Sequence, residues 1–412
     1  MQNNRIVVTG LGVIGSNGIG KSAFSEAIFS GVSGIRPISL FDASGYKVKS
    51  AGEVKGFEPK DFLGQKGLRT LDRSTKLVAS AAKLALDEAS LIISEENTYR
   101  VGVAIGTTFG SLSSICGFDR DSIKEGPHFV NPALFPNTVI NSPASQVSIK
   151  FNIKGFNATI STGSCASLDA INYAADFLKF GRADIVLAGG VEEFCQEIFL
   201  GFYKTGLLSG LNGGEELSCP FDRRRNGVVL GEGASVLVLE TLESAQGRGV
   251  NILAEVKGFG IAFAGHRIDK YRLNGAGLKR AMRQAVQKSG IDLPEIDSIS
   301  CSANSTQEAD LIEAQAISEV FGEFTSEVKV TAIKSMIGEC FSASGAFQAA
   351  AAVASIERQI VPPTINLLEP DEKCRLNYSP LKAQDIEVDN VLVNAFGMSG
   401  HNSSLMISKF KA

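Results

Sequence analysis

The sequence predicts an α/β fold built of two similar halves, and three observations predict it. Short apolar, β-branched runs alternate with helix-patterned segments along the whole chain, the pattern of buried strands covered by helices. A strand leads into a long helix of small residues twice, at Ser161–Lys179 and at Lys334–Arg358. Gly supplies 43 of the 412 residues, above the usual ~7%, so many tight turns and close backbone approaches are expected. At ~150 residues per domain the length suits two to three domains or one large duplicated unit.

In order along the chain, Arg5–Thr9, Val101–Ile105, Asp184–Ala188 and Ser235–Glu240 read as buried strands of the first half. Leu253–Val256, Ser298–Cys301, Lys329–Ile333 and Asn390–Asn394 repeat the habit in the second, separated by helical patterns such as Gly277–Ser289 and Asp310–Phe321. Near-continuous apolar strands suggest mostly parallel sheets. The two small-residue helices carry so little charge that they are expected to be buried on most sides. The seam between halves falls near Leu239–Asn251, dividing the chain into residues 1–250 and 251–412.

Forty Lys and Arg against forty-four Asp and Glu leave a net charge of −4, which gives no global electrostatic case for nucleic acid or an anionic membrane. Seven scattered cysteines without a C-x-x-C pair argue against a disulfide scaffold or zinc module and for a reducing cytoplasm. No apolar run reaches the ~18 residues of a membrane span, and the opening lacks a signal-peptide pattern.

Two phosphate-loop patterns overlap near the start. GLGVIG (Gly10–Gly15) has dinucleotide-binding spacing, but more turn residues follow where a helix should begin, and no acidic residue stands ~20 positions on. GSNGIGKS (Gly15–Ser22) fits a P-loop, with Lys21 for the phosphates and Ser22 for magnesium, yet no apolar strand ending in Asp completes the metal site.

Cys165, in ISTGSCASLDA, falls at a strand-to-helix junction. A thiol there meets the positive end of the helix dipole and unpaired amides, which lowers its pKa and offers an oxyanion site. This geometry suits covalent catalysis; the alternative is a buried structural cysteine.

At this point the chain resembles the β-ketoacyl-acyl carrier protein synthases, the condensing enzymes of fatty acid and polyketide synthesis. The resemblance runs from RIVVTGLGVIGSNG through the Cys165 segment, CPFDRRRNGVVLGEGASVLVLE (Cys219–Glu240) and KSMIGECFSASG (Lys334–Gly345) to PPTINLLEPDE (Pro362–Glu372) and NAFGMSGHNSSL (Asn394–Leu405). It implies the thiolase fold, duplicated α/β halves in a five-layered αβαβα arrangement. It also implies a dimer, an opening stretch that binds no nucleotide, and substrates carried on the phosphopantetheine of acyl carrier protein, with no further cofactor and no metal. Cys165 matches the acyl-accepting nucleophile. Met398, where the family usually has Phe, matches the residue whose amide completes the oxyanion hole and whose side chain gates the acyl pocket. Phe396 and Thr306 match substrate-contacting positions.

The family's decarboxylation uses two histidines that hydrogen-bond to the malonyl thioester oxygen, and this chain lacks both. Anchored on Ala303 and Asp310, Asn304 takes one histidine's place in a loop two residues short. In KSMIGEC, Lys334 matches the family lysine, but Glu339 stands where the second histidine belongs. The only histidines are His128, His266 and His401. None fits: His266 lies one position from a family loop histidine, and His401 reads as structural. An ionised Glu339 would repel the malonyl carboxylate and enolate, a protonated one could donate a hydrogen bond, and Lys334 nearby argues for the ionised form. Losing one oxyanion donor costs ~10²–10³ in rate, so condensation is expected to be weak, absent or altered while acyl loading on Cys165 survives.

Acyl carrier protein is acidic, and Lys66, Arg69 and Arg73 match part of the family's basic docking patch. Three readings follow: an acyl-loading enzyme that condenses poorly, a non-condensing partner similar to chain-length factors, and an ordinary synthase using Asn304 and Glu339. The dimer is accordingly expected to be a homodimer or a heterodimer with a second ketosynthase-like subunit.

Overall fold

The computed structural model describes residues 5–265 and 274–412. Among the described residues the main sheet has eleven strands, of which the short Gly18–Ile19 pairs only with the first and the other ten run in one path: β1 Ile6–Gly15, β2 Val101–Gly106, β3 Asn157–Ile160, β4 Ile185–Glu192, β5 Gly233–Thr241, β6 Ala254–Phe263, β7 Ser298–Ser300, β8 Lys329–Thr331, β9 Asn390–Phe396 and β10 His401–Ser408. Their order is β8-β7-β9-β10-β6-β1-β5-β4-β2-β3. The halves therefore repeat: β1-β5-β4-β2-β3 on one side becomes β6-β10-β9-β7-β8 on the other. A short antiparallel pairing of β1 with β6 joins them.

The strand directions repeat as well, and they correct the expectation of mostly parallel sheets. In each half the two inner pairings are antiparallel and the two outer ones parallel. The apolar runs reflect burial on both faces, which helix layers enforce whatever the strand direction.

Four of the helices that make those layers position the site: α1 Arg73–Glu88, α2 Ala166–Lys179, α3 Ala276–Ser289 and α4 Ser344–Arg358. α1 covers β1 and β5, and α3 covers β6 and β10, while α2 and α4 pack on each other and touch strands of both halves. The small residues of α4 are buried from Ser344 to Ile356, which lets two helices fit between two sheet halves. The expected second helix is broken: Lys334–Ile337 forms one turn, Gly338 takes φ 80°, and α4 starts only at Ser344.

The glycines of the first phosphate-loop pattern lie inside β1 and serve packing. A Cβ on Gly10 or Gly12 would stand 2.2 Å from the Ala85 carbonyl oxygen or 1.9 Å from that of Ala81, both on α1. Gly258 and Gly260 of β6 repeat this against α3, at 2.2 Å from Ala285 O and 1.9 Å from Ala281 O. The second pattern is spent on a tight antiparallel pairing of Ile14–Gly15 with Gly18–Ile19. Lys21 Nζ is paired with Glu88 at 2.8 Å and Glu357 at 2.7 Å, so it neutralises α1 and α4 instead of facing a phosphate.

No helix among the described residues is long and apolar enough to cross a membrane. Nor do they include a group of three or more His, Cys, Asp or Glu placed to hold a metal ion.

Candidate active site

Cys165 caps the N-terminus of α2 at the end of a tight turn, Gly163–Cys165, in which Gly163 takes φ 64°. Its side chain is fully buried, and Sγ donates to the Ala395 carbonyl oxygen at 3.1 Å. Burial, followed by the negative charge of Asp169, pushes the thiol well above its ordinary range. This direction runs opposite to the lowered pKa expected at a helix N-terminus, because burial removes the water that would stabilise a thiolate. Hydrogen bonds from Ser403 and the charge of Lys334 pull the other way.

The loop after β9 closes over this turn. A Cβ on Gly397 would lie 3.0 Å from Ser164 Oγ, and one on Gly163 would lie 2.8 Å from Ser399 Oγ. Gly163, Ser164 and Met398 reach the wall of a cavity of about 1040 Å³ that Asn304, Thr306 and Glu339 also line. Phe396 does not reach it: it is buried in the core of the second half, because alternation along β9 turns it inward.

Glu339 sits at the far end of a hydrogen-bonded chain from Cys165. Phe396 N–H donates to Ser302 Oγ at 3.3 Å, and Ser302 carbonyl oxygen accepts from Lys334 Nζ at 2.8 Å. Lys334 Nζ also donates to Glu339 Oε2 at 2.9 Å, and the same oxygen accepts from Asn304 Nδ2 at 2.9 Å. Glu339 Oε1 accepts from the Phe341 N–H at 3.0 Å and the Ser344 hydroxyl at 2.9 Å. Lys334 and Glu339 are 1% and 3% exposed. An oxygen that already takes an ammonium and an amide donor has no place for a proton, and the Ser344 hydroxyl, which accepts from Cys340 N–H at 3.1 Å, is oriented to donate to the other. Each carboxyl oxygen of Glu339 thus accepts from two donors.

Asn304 is held by its own loop. Its Oδ1 accepts from Thr306 N–H at 3.3 Å and Oγ1 at 2.9 Å, and its backbone N–H donates to Asp310 Oδ1 at 2.9 Å. Ser305 adopts φ 75°, a strained value for a non-glycine. Burial pushes Asp310 up to about 6 against the pull of Arg225 and three backbone N–H groups.

Of the basic residues, Lys66 and Arg69 are exposed. Arg73 has a different setting: its side chain is 30% exposed, and its Nε and Nη2 donate to Glu232 at 2.7 and 2.5 Å. Glu232 is fully buried, so the guanidinium is committed to an internal ion pair. His128 is exposed, and His401 begins β10 with its ring 4.9 Å from Phe263. His266 lies outside the described residues.

The sequence reading missed three contributors. Ser302 ties the Cys165 side to Lys334, and the rings of Phe109, Phe202 and Phe341 form the apolar wall of the cavity. Asp169 lies under the nucleophile, and its charge in the otherwise small and apolar start of α2 was the signal available.

Duplicated halves, a buried cysteine at the head of a central helix and a lysine-bearing loop facing it define a condensing-enzyme architecture. The Beta-ketoacyl synthase, N-terminal domain model matches residues 3–245 and the Beta-ketoacyl synthase, C-terminal domain model residues 253–368. The chain belongs to the β-ketoacyl synthase family. It is 36% identical to 3-oxoacyl-[acyl-carrier-protein] synthase 2 of Coxiella burnetii over 99% of both chains. With the protein of that name from Staphylococcus aureus (strain COL) it shares 34% over the full length of both. Among solved structures it is similar to the ishigamide ketosynthase/chain length factor, with TM-score 0.92, 31% identity and coverage of 99% and 100%. It is also similar to a type II polyketide ketosynthase solved with its acyl-carrier protein, AntDE:AntF, with TM-score 0.91, 29% identity and the same coverage. These likenesses support the fold expected above.

Proposed function

We propose that this β-ketoacyl synthase-like protein of fatty acid or polyketide biosynthesis accepts an acyl group from acyl carrier protein on Cys165 and condenses it with malonyl-carrier protein weakly or not at all. The Lys334–Glu339–Asn304 network carries this reading. Decarboxylation builds negative charge on a thioester oxygen, and catalysis requires donors aimed at that charge. Here a carboxylate stands at the site, and the nearby cation is already shared between Glu339 and the Ser302 carbonyl. Asn304 Nδ2 keeps one N–H beyond the one given to Glu339, a single neutral donor at most.

Acyl transfer depends on the thiol and on the amides of Cys165 and Met398, and of the network the charge of Lys334 bears on the thiol by favouring its ionised form. Met398 is thinner and more pliable than an aromatic gate. It lines a cavity of about 1040 Å³, roomy enough for an acyl chain, together with Gly163 and Ser164 of the turn that carries Cys165. Lys66 and Arg69 offer the carrier protein a small basic surface. The relatives named for acyl-carrier-protein substrates support this partner.

A second reading, a non-condensing member of a heterodimer, is favoured by the likeness to a ketosynthase/chain length factor. Ile123, Phe129 and Phe135 are 85%, 74% and 59% exposed, an apolar surface suited to a second ketosynthase-like subunit or another copy. Intact-protein mass spectrometry after mixing with acyl-carrier proteins separates the readings. Acyl mass on the wild type and none on Cys165→Ala supports the acyl-loading enzyme. No loading, with a heterodimer that tolerates Cys165→Ala, supports the structural partner.

A further inference from the structure

The cavity beside Cys165 has two unlike ends. At its mouth Asn212, Gln307 and Glu308 are exposed, a rim suited to the polar arm of a carrier. Deeper in, Phe109, Phe202 and Phe341 are half-buried and share the lining with Gly163 and Ser164 of the turn that carries the thiol. Phe341 stacks on Phe202 with ring centroids 4.6 Å apart, and Phe109 meets Phe341 edge-on at 5.4 Å. All three pack against the cluster that holds Phe194 and Phe199, each 1% exposed, so this wall is backed by core and not by solvent. Phe341 is held there in a strained conformation. Its φ of 43° lies in the left-handed region, which a non-glycine residue keeps only when its surroundings impose it. Two buried carboxylates do so. Glu339 Oε1 accepts the Phe341 N–H at 3.0 Å. Glu192 accepts the hydroxyl of the next residue, Ser342, and the N–H of Phe109 at 3.0 Å. The backbone beneath both rings therefore cannot shift without breaking a buried hydrogen bond, and close ring packing opposes rotation of either side chain.

We propose that Phe341 is a fixed stop in the acyl pocket and restricts the acyl group on Cys165 to a short chain. The carrier's arm occupies the polar mouth, so an apolar chain on the sulfur turns toward the rings, where Phe341 and the core behind it end its run. One methylene more than an apolar pocket holds discriminates by about 10–200-fold, and a ring pinned at its backbone does not step aside for it. Glu339 takes part as a positioning residue, through the Phe341 N–H. The limit on acyl length rests on the acyl-loading reading, but the stop is a property of the cavity that a thiol reagent reads without any carrier protein.

The test treats the whole chain with N-methyl-, N-hexyl- and N-dodecylmaleimide and follows Cys165 by mass spectrometry of its peptide, with the half-buried Cys116 as the internal reference for reagent reactivity. Loading from butyryl- and hexadecanoyl-carrier protein is scored separately. Relative to Cys116, the methyl reagent should modify Cys165 at least roughly 10-fold faster than the dodecyl reagent, and Phe341→Ala should erase the difference. Phe341→Gly, which suits a positive φ, should do the same and serves if the Ala variant does not fold. A wild type that takes the dodecyl reagent as readily as the methyl one overturns the stop, and so does a preference that both variants leave unchanged. If the wild-type thiol is closed to every reagent, the variants decide: entry of the dodecyl reagent supports the stop and continued exclusion overturns it. Length discrimination by the maleimides without acyl loading from either carrier would keep the stop and defeat the acyl-loading reading.

Discussion

Glu232 is fully buried and accepts from both Arg73 nitrogens and from the backbone N–H groups of Val54 and Phe194. Removing Arg73 leaves that carboxylate without its counter-charge, so Arg73→Ala should lower stability by about 3 kcal/mol, read from urea unfolding. Lys66→Ala and Arg69→Ala should change stability by less than ~0.5 kcal/mol and weaken carrier-protein binding instead. The three residues look alike in sequence. What separates them is a partner more than a hundred positions away, which only the tertiary structure supplies. Cys165 and Lys334 were legible because each sits in a motif with a local reason for its residue type. Glu339 accepts from Asn304, Phe341 and Ser344 as well as Lys334, and of these only Lys334 could be placed beside it from the sequence.

At the scale of elements, the strand-and-helix alternation carried most of the fold into view, since apolar runs and small-residue helices report burial directly. Strand direction was not visible, because two-sided burial looks the same in parallel and antiparallel strands. β3 and β10 were missed: Asn157–Ile160 is short and partly exposed, and β10 carries His401, Asn402, Ser403 and Ser404. The glycines inside β1 and β6 resembled phosphate loops because both uses demand close backbone approach. Gly12→Ala and Gly260→Ala should each cost about 1–3 kcal/mol by forcing strand and helix apart, seen as a lowered unfolding temperature.

Across the whole molecule, acids have been buried in the middle of the structure. Burial pushes Glu192, Glu193 and Glu313 each from 4.5 to about 7, against hydrogen bonds that pull them down. Between those values the folded chain holds protons the unfolded chain has released, so stability falls as pH rises from about 4.5 to about 7. The unfolding temperature should therefore be higher at pH 5 than at pH 8, and Glu192→Gln should shrink the difference. A rise in unfolding temperature from pH 5 to pH 8 would count against this description of the interior.

The most direct test of the central claim is carbon dioxide release from malonyl-carrier protein by the wild type and by the Asn304→His, Glu339→His double variant. The wild type should release little, and the double variant should gain at least ~10²-fold as oxyanion donors replace the Glu339 network. Brisk release by the wild type, abolished by Glu339→Gln, would contradict it and make Asn304 and Glu339 the working decarboxylation pair.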